Sequence, residues 1–301
     1  MIRKESYKTP FFMLDRFETY LISEKRMADH TLTAYLNDVS TFLEFSEIKK
    51  TEELKEINYQ VVRAWLVSLI ENKLNNRSVN RKLSALRTFF KWALKNGLVV
   101  NDPMLRIKGP KQRKRLPEFV KEDDLDLSKM NNIFSDDYAG RRDKLMLELF
   151  YQTGIRLSEL IGLKLSDVQN QSIKVLGKRN KERIIPITQS LENELLELGS
   201  PSGKLSENDF VFLTDKGKKL YPKFVYNKIT RYLSYLTDMK KRSPHVLRHT
   251  FATHMLNNGA GLETLKDILG HANLSATQVY THNSFDEITK IYRRAHPRGT
   301  D

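Results

Sequence analysis

A basic segment bracketed by prolines divides this 301-residue chain into two parts. Residues 108–117 read Lys-Gly-Pro-Lys-Gln-Arg-Lys-Arg-Leu-Pro. Because proline has no N–H and disfavours helix in the residue before it, this segment favours an extended strap over a packed element. A chain of this length also favours about two domains. The sequence therefore predicts one domain at residues 1–107, a linker at 108–117 and a second domain at 118–301.

The part before the linker is predicted to be a helical bundle. Apolar residues recur at helical spacing from Phe11 to Lys95, and polar clusters interrupt them at residues 28–29, 49–53 and 72–77. Asn58 is suited to cap the third helix, and Gly97 has the character of a residue just past a helix end. These signals predict about four helices.

The part after the linker has a mixed pattern. Helical periodicity is present at residues 122–130, at 141–151 and from Lys223 onwards, with breaks at residues 259–261 and at Gly270. Residues 172–176 and 183–187 are strand-like, and residues 177–182 between them form a turn-rich hairpin tip. The predicted fold class is mainly α, with one small antiparallel β-sheet in the second domain.

The charge of the chain indicates an anionic partner. Lys and Arg total 51 against 37 Asp and Glu, which gives a formal net charge of +14. Such a balance suits nucleic acid first and an anionic membrane surface second. The mean hydropathy is −0.52 and no apolar run approaches the length of a membrane span, so we expect nucleic acid and no membrane.

Cysteine usage and the first residues bear on the compartment. The chain has no cysteine, which excludes a disulfide framework, a thiolate metal site and a cysteine nucleophile. The opening residues, MIRKESYKTPFFMLDRF, place charges inside a short apolar stretch and lack the core of a signal peptide. We therefore expect cytoplasmic residence.

One predicted helix of the first domain carries a basic stripe. Seven Lys and Arg residues and no acidic residue occur between Lys73 and Lys95. The alternative is a merely solvated cationic face, but such faces usually mix signs to gain i,i+4 ion pairs. The apolar face of this helix comprises Val79, Leu83, Leu86, Phe90 and Ala93. The residues that we assign to DNA contact are Arg77, Asn80, Arg81, Ser84, Arg87 and Lys91.

Two cations of the second domain are candidates for phosphate chemistry. Arg156 follows a glycine break and could bind a phosphodiester bidentately, with Glu159 three residues on to orient it. Taken alone, this pair is more often a surface ion pair. Lys178 lies at the hairpin tip, where a flexible ammonium could act as a general acid. The alternative for Lys178 is an ordinary charged tip, because Arg179, Lys181 and Arg183 are its neighbours.

A histidine and an arginine share one helical face further along. His245 and Arg248 are spaced i,i+3, and Pro244 fits the first turn of a helix, whose N-terminus favours an anionic ligand. A zinc site built on His245 and His249 is not persuasive, because the segment lacks the glutamate of an HExxH motif and the chain lacks cysteine. His249 and His254 are interpreted as packing or capping residues.

The last candidates are His271 and Tyr280. A phenol is a poor nucleophile at neutral pH unless a base or a cationic surround assists it. The chain has 12 tyrosines, and a lone tyrosine is more often core or surface than catalytic. His282 and His296 receive no role from the sequence.

Taken in order, these segments resemble the tyrosine recombinase family. The resemblance rests on Thr-Gly-Ile-Arg156-Leu-Ser-Glu-Leu, Gly-Lys178-Arg-Asn-Lys-Glu-Arg, His245-Val-Leu-Arg248-His-Thr, Leu-Gly-His271 and Tyr280. It extends through residues 76–87 of the first domain, and the ending Arg-Ala-His-Pro-Arg298 is similar to Xer-type recombinases. Arg179 departs from the glycine that the family often has, which leaves Lys178 in place.

The resemblance implies a C-shaped clamp around duplex DNA, with a helical, SAM-like core-binding domain and a catalytic domain. It implies that Tyr280 attacks the scissile phosphate and forms a 3′-phosphotyrosyl bond. Arg156 and Arg248 would hold the non-bridging oxygens, and Lys178 would protonate the leaving 5′-oxygen. His245 would assist deprotonation of Tyr280, and His271 would hydrogen-bond the phosphate. Because these groups supply the positive charge at one anionic centre, no metal and no cofactor is expected.

The resemblance also implies an assembly and a task. Four protomers on two DNA sites would exchange strands through a Holliday junction, as in Xer-like resolution of chromosome or plasmid dimers, and a second recombinase or a DNA translocase is left open as a partner. The alternatives are an integrase of a phage or mobile element, a type IB topoisomerase, and an inactive architectural DNA-binding protein. The residues that flank the motifs resemble those of Xer-type recombinases, which argues against the topoisomerase. All six candidate catalytic residues are present, which argues against the inactive protein.

The segment after Tyr280 carries a stripe of apolar residues, Phe285, Ile288 and Tyr292. A short helix with such a stripe must dock somewhere. The family precedent is docking onto the neighbouring protomer, so we expect truncation after Asn283 to weaken assembly of the four-protomer complex.

Overall fold

The computed structural model describes residues 12–111, 118–177, 182–199, 209–270 and 282–299. The chain divides into two compact units, Met1–Arg115 and Leu116–Asp301.

The first unit is a helical bundle, and its helices begin where the sequence provides caps. The side chain of Asn58 accepts hydrogen bonds from the backbone N–H groups of Gln60 and Val61, as predicted, and Asn75 accepts one from Ser78. Gly97, with φ of +69°, follows the last helix. The helices are α1 (Phe12–Ser23), α2 (Asp29–Phe45), α3 (Tyr59–Glu71) and α4 (Asn76–Lys95), with a 3-10 turn at Thr51–Glu56.

The core of the first unit forms around the apolar face of α4. All five residues predicted for that face are buried, which confirms the helical interpretation. Aromatic rings fill the interior: Phe17 meets Phe89 edge to face at 5.2 Å between ring centroids, and Phe42 meets Trp65 in the same way at 5.2 Å. The opposite face of α4 is thereby left at the surface of this unit.

The beginning of the predicted linker lies along α4. Asn76 and Asn80 donate side-chain hydrogen bonds of 2.9 Å to the carbonyls of Lys111 and Pro110, and Arg87 donates one of 2.8 Å to Ile107. A Cβ at Gly109 would come within 1.9 Å of Asn80 Oδ1, so a side chain at this position would displace the Asn80 amide. Residues 108–111 have no regular secondary structure, and residues 112–117 lie outside the described part of the chain.

The second unit is mainly helical with one small sheet, in agreement with the predicted fold class. The helices are α5 (Leu127–Asn131), α6 (Tyr138–Thr153), α7 (Leu157–Gly162), α8 (Gln189–Gly199), α9 (Pro222–Leu236), α10 (Pro244–Asn257), α11 (Leu262–Leu269) and α12 (His282–Ala295). The strands are β1 (Val168–Gln169), β2 (Ser172–Leu176) and β3 (Glu182–Pro186), with 3-10 turns at Glu122–Leu125 and Leu165–Asp167.

The sheet is antiparallel in the order β1-β2-β3. Ile173 pairs with Ile185 and Val175 with Arg183, so the two predicted strands are confirmed. The sequence missed β1, which has only two residues and therefore shows no alternation. Of the predicted hairpin tip at 177–182, residues 178–181 lie outside the described residues.

Helix α6 is the centre of the second unit. Its residues from Leu145 to Thr153 are all buried, and α8, α9 and α10 pack against it. Charged groups within it are paired: Arg142, fully buried, bonds its neighbour Asp143 and the carboxylate of Asp215. A helix this well covered is a rigid base for the residues that follow it.

Helix α12 packs against other elements of the second unit. Ile288, Tyr292 and Ala295 are buried in the core of their own unit, where α12 packs against α10, α11 and β3. Beyond the helix, His296 and Arg298 are also buried. Two residues of the predicted stripe, Ile288 and Tyr292, therefore pack within their own unit in the single chain, where other elements provide the apolar cover that an amphipathic helix needs.

Candidate active site

A glycine turn after α6 places Arg156. Gly154 has φ of +59° and caps α6, and a Cβ there would come within 2.6 Å of Phe251 and 2.8 Å of Leu269. Only glycine combines this left-handed conformation with the close approach. The chain then turns so that Arg156 is the N-cap residue of α7.

Glu159 orients Arg156, as the spacing predicts. One carboxylate oxygen accepts the backbone N–H of Arg156 at 2.8 Å, and the other accepts Nη1 of its side chain at 2.7 Å. The carboxylate is buried, whereas about a third of the Arg156 side chain is exposed. The Arg156 guanidinium is therefore fixed by the buried Glu159 carboxylate and remains partly exposed to solvent.

Arg183 is a residue of the site that the sequence interpretation missed. Its Nη1 and Nη2 bond the two oxygens of Glu159 at 2.8 and 2.9 Å, and its Nε donates to the Ile268 carbonyl at 2.7 Å. The side chain is buried. The strand pattern contained the signal: Arg183 is two residues from Ile185 and so lies on the same, inward face of β3.

The end of α11 gathers three arginines. Its consecutive carbonyls at Ile268, Leu269 and Gly270 accept hydrogen bonds from Arg183, Arg248 and Arg156 in that order, at 2.7, 2.7 and 2.9 Å. Arg248 also donates to the carbonyl of Gly154. A helix C-terminus is the negative end of the helix dipole, which favours cations there. The structure thus brings Arg156 and Arg248, two predicted phosphate ligands, to adjacent backbone carbonyls.

The cluster has more positive than negative charge. Burial alone would raise the pKa of Glu159, but hydrogen bonds and charge from Arg183, with further bonds from Arg156, lower it to about 2. Burial, with the charges of Arg156 and Arg183, lowers the pKa of Arg248 to about 10. Glu159 and Arg248 are therefore both ionised at neutral pH, and three guanidiniums face one carboxylate. Such a surplus suits an anionic ligand.

Helix α10 carries His245 and Arg248 one turn apart. Pro244 occupies its first turn and the Ser243 hydroxyl accepts the N–H of Val246, which fixes the start of the helix. His245 is exposed and Arg248 is buried. His254, further along α10, is buried with Nδ1 3.1 Å from the Tyr151 hydroxyl, which confirms its interpretation as a packing residue.

Three predicted site residues, Lys178, His271 and Tyr280, lie outside the described residues. Their nearest described neighbours are Gly177 before Lys178, Gly270 before His271 and His282 after Tyr280. Among the residues that the structure describes, no group of histidine, aspartate and glutamate could hold a metal ion.

The basic stripe of α4 has partners that the sequence did not predict. Asp38 of α2, buried, pairs with Arg81 and lies 3.0 Å from the Lys82 ammonium. Asn80 bonds the Pro110 carbonyl of the linker, and Arg87 bonds the Ile107 carbonyl just before it. The Ser84 hydroxyl donates to the carbonyl of Asn80. The sequence showed that the stripe has no acidic residue of its own, and its acidic partner Asp38 comes from another helix.

Arg77 and Lys91 are exposed on the same helix. Their long cationic side chains are placed to meet a polyanion from solvent. None of the described helices is both long enough and apolar enough to cross a membrane.

Comparison with known proteins shows the family of the chain. Residues 119–287 match the phage integrase family, and residues 14–97 match the phage integrase N-terminal SAM-like domain. The chain belongs to the phage integrase family.

It is 36% identical to tyrosine recombinase XerC of Anoxybacillus flavithermus, over 95% of this chain and 98% of that protein. It is 38% identical to tyrosine recombinase XerC of Staphylococcus epidermidis, over 93% of this chain and 97% of that protein. The protein is thus a Xer-like site-specific recombinase, an enzyme that cleaves and rejoins DNA.

Solved structures show the same fold. XerH recombinase bound to a palindromic difH substrate superposes with a TM-score of 0.68 at 22% identity, covering 95% of this chain and 82% of that one. A lambda integrase dimer bound to a core site gives 0.67 at 18% identity, covering 89% and 98%. At such identities the likeness concerns the fold alone.

Proposed function

We propose that this recombinase binds duplex DNA sites and exchanges strands through a covalent bond between Tyr280 and a backbone phosphate, in the resolution of chromosome or plasmid dimers. The observation that carries the proposal is the pair of arginines at the α11 C-terminus, Arg156 and Arg248, which bond adjacent carbonyls. Two guanidiniums held side by side match the two non-bridging oxygens of a phosphodiester.

The chemistry is a transesterification. The Tyr280 oxygen attacks phosphorus as His245 assists removal of its proton, the new O–P bond forms and the bond to the 5′-oxygen breaks. Lys178 protonates the departing 5′-oxygen, since an alkoxide is a poor leaving group near neutral pH. Arg156 and Arg248 stabilise the charge that develops on the non-bridging oxygens, and His271 hydrogen-bonds the phosphate. Rejoining reverses these steps with a 5′-hydroxyl of the partner strand.

The same proposal assigns a role to each domain of the chain. Residues 1–107 form the core-binding domain, 108–117 the linker and 118–301 the catalytic domain. Arg77 and Lys91 of α4 contact phosphates. Four protomers act on two sites in the cytoplasm, through a Holliday junction. The similarity to proteins named tyrosine recombinase XerC supports a Xer-like role, and we propose dimer resolution and not integration as that role. The DNA complexes among the fold neighbours support duplex DNA as the partner.

Mapping covalent protein–DNA adducts in host DNA tests the proposal. The wild-type protein is expected to leave adducts at a small set of sites, with the protein on the 3′-phosphate, and the Tyr280→Phe variant is expected to leave none. A plasmid carrying two copies of a mapped site should recombine, whereas a plasmid with one copy should not change its topology. Relaxation of the one-copy plasmid without recombination of the other would instead indicate a topoisomerase.

A further inference from the structure

We propose that Arg183 is a positioning residue for DNA cleavage: it fixes the Glu159 carboxylate and the end of α11, and through them the orientation of Arg156 and Arg248. This inference rests on the proposed function, because it assumes that the two arginines bind the scissile phosphate. Arg183 itself is buried and its three side-chain nitrogens are engaged by Glu159 and Ile268, so it acts through other residues and not on the substrate.

The first step of the argument is how Glu159 is shared. Each of its two oxygens accepts one hydrogen bond from Arg183 and one from Arg156. A carboxylate bonded by a planar guanidinium at both oxygens cannot rotate without breaking two charge-assisted bonds. Arg156 projects from that fixed carboxylate, so its orientation depends on Arg183.

The second step is the link to α11. Arg183 Nε bonds the Ile268 carbonyl, and the next two carbonyls hold Arg248 and Arg156. Gly270 leaves room for the Arg183 stem, since a Cβ there would lie 3.1 Å from Arg183 Cδ. One side chain of β3 therefore sets the place of the helix end on which both candidate phosphate ligands rest.

The third step is the scaffold behind Arg183. It lies in β3, paired with Val175 of β2, inside the regular part of the sheet. Sites supported by strands and helices are more precisely held than sites on loops. A single residue thus connects the sheet and α7 with α11, which lies about 80 residues further along the chain.

The experiment compares Arg183→Met and Arg183→Lys with the control Arg142→Met. Arg142 is also a buried arginine of the second unit, but it bonds Asp143 and Asp215, which are not part of the candidate site. The probe is a nicked duplex that carries a site mapped with the wild-type protein. DNA affinity, single-turnover cleavage at saturating DNA and melting temperature are measured for each variant, below the melting temperature of the least stable one.

We expect Arg183→Met to slow cleavage by about 100-fold at saturating DNA, the size of effect produced by a misplacement of about 1 Å. DNA affinity should change by less than about threefold, because most phosphate contacts lie elsewhere. Arg183→Lys keeps the charge but cannot bridge both oxygens of Glu159, so it should cleave at least about 10-fold more slowly than wild type. Arg142→Met should lose stability but cleave within about threefold of wild type.

A pH profile separates positioning from loss of folding. In the wild type Glu159, with a pKa of about 2, stays ionised throughout an assay from about pH 5 to about pH 8. Without Arg183 its pKa rises, so cleavage by Arg183→Met should fall more steeply than wild type as the pH is lowered across that range. Adding Glu159→Gln, which cannot titrate, should abolish that extra fall.

The outcomes distinguish the two proposals. If the wild-type protein forms no covalent adduct with host DNA, so that no site can be mapped, the proposed function fails. If the wild type cleaves and both Arg183 variants cleave at its rate with its pH profile, only the positioning role is overturned. Equal losses of cleavage in Arg183→Lys and Arg142→Met would also overturn it, because a general loss of stability would then explain the data.

Discussion

Arg298 Nη1 lies 2.5 Å from Glu148 Oε1, and both side chains are buried in the core of the second unit. Arg298 also donates to the Leu125 carbonyl, so the segment after α12 is tied to α6 and to the 3-10 turn before α5. A paired charge removed from water is costly to break, because the remaining charge is left uncompensated. This pair therefore holds α12 against its own subunit.

Arg298→Met is expected to lower the free energy of unfolding by about 3 kcal/mol or more, the cost of leaving a buried carboxylate unpaired. Arg141→Met is the matched control, because Arg141 pairs with Glu197 across 3.3 Å at the surface. Its expected cost is below about 1 kcal/mol. Urea denaturation measures both, and equal losses would show that the Arg298 pair does not anchor the segment.

Truncation after Asn283 is expected to destabilise the second unit itself. It removes the large side chains of Ile288 and Tyr292 from the core, and burial of such side chains contributes about 2 kcal/mol each. Thermal melting checks this expectation. A truncated protein with the melting temperature of wild type would mean that α12 contributes little to its own subunit.

The free energy of unfolding is expected to decrease as the pH is lowered below about 6.5, because of His296. Burial, together with Arg298 and His254, lowers the pKa of His296 from 6.5 to about 3 despite its bond to the Tyr151 carbonyl. Between these values the unfolded chain takes up a proton that the folded chain excludes, so stability is complete above about 6.5 and is lost as the pH falls towards about 3. The loss approaches about 1.4 kcal/mol for each pH unit.

Melting temperatures between about pH 7.5 and about pH 4.5 test this contribution. His296→Asn should flatten the decline relative to wild type. His30→Asn, which changes an exposed histidine of α2, should leave it unaltered. Parallel curves for all three proteins would assign the decline to other groups.

The salt dependence of DNA binding is expected to report the α4 contacts. Phosphate contacts release counterions, so Arg77→Ala and Lys91→Ala should each flatten the slope of log affinity against log salt by about one unit. Arg63→Ala, an exposed arginine of α3, makes the same charge change away from α4 and should leave the slope unchanged. If Arg77 and Lys91 behave as Arg63 does, α4 is not at the DNA interface.

The roles of Lys178 and Tyr280 can be separated with a DNA substrate that has sulfur at the bridging 5′ position. A thiol has a pKa of about 8.5, so the thiolate departs without a proton. Lys178→Ala should cleave ordinary DNA slowly and recover most of its rate on this substrate, whereas Tyr280→Phe should cleave neither. Arg156→Ala and Arg248→Ala should show little rescue, because sulfur does not replace contacts to the non-bridging oxygens.

Lys181→Ala is the control on the hairpin for the sulfur substrate. Rescue of Lys181→Ala without rescue of Lys178→Ala would assign the general acid to Lys181 instead of Lys178. A covalent adduct formed by Tyr280→Phe would remove Tyr280 as the nucleophile.

Local patterns in the sequence determined much of this protein. The period of the apolar residues identified the buried face of α4, strand-like runs identified β2 and β3, and Asn58 marked the start of α3. The order of the motifs identified the family, and the i,i+3 spacing predicted the contact between Arg156 and Glu159. These features depend on residues that are close in the chain, so one sequence is enough to predict them.

Only the tertiary structure decided which distant groups became partners. The pairing of Asp38 with Arg81, the bond from Asn80 to the strap and the docking of α12 on its own unit each join separate elements. The bond from Arg183 to Glu159 also joins separate elements. From the sequence Arg183 looked like an exposed cation, but in the structure it is buried and bonded to a residue of the candidate site. Periodicity shows which face of a helix or strand is buried, but not which element packs against that face. A charged residue in a sequence likewise does not reveal which oppositely charged residue will pair with it when both are buried.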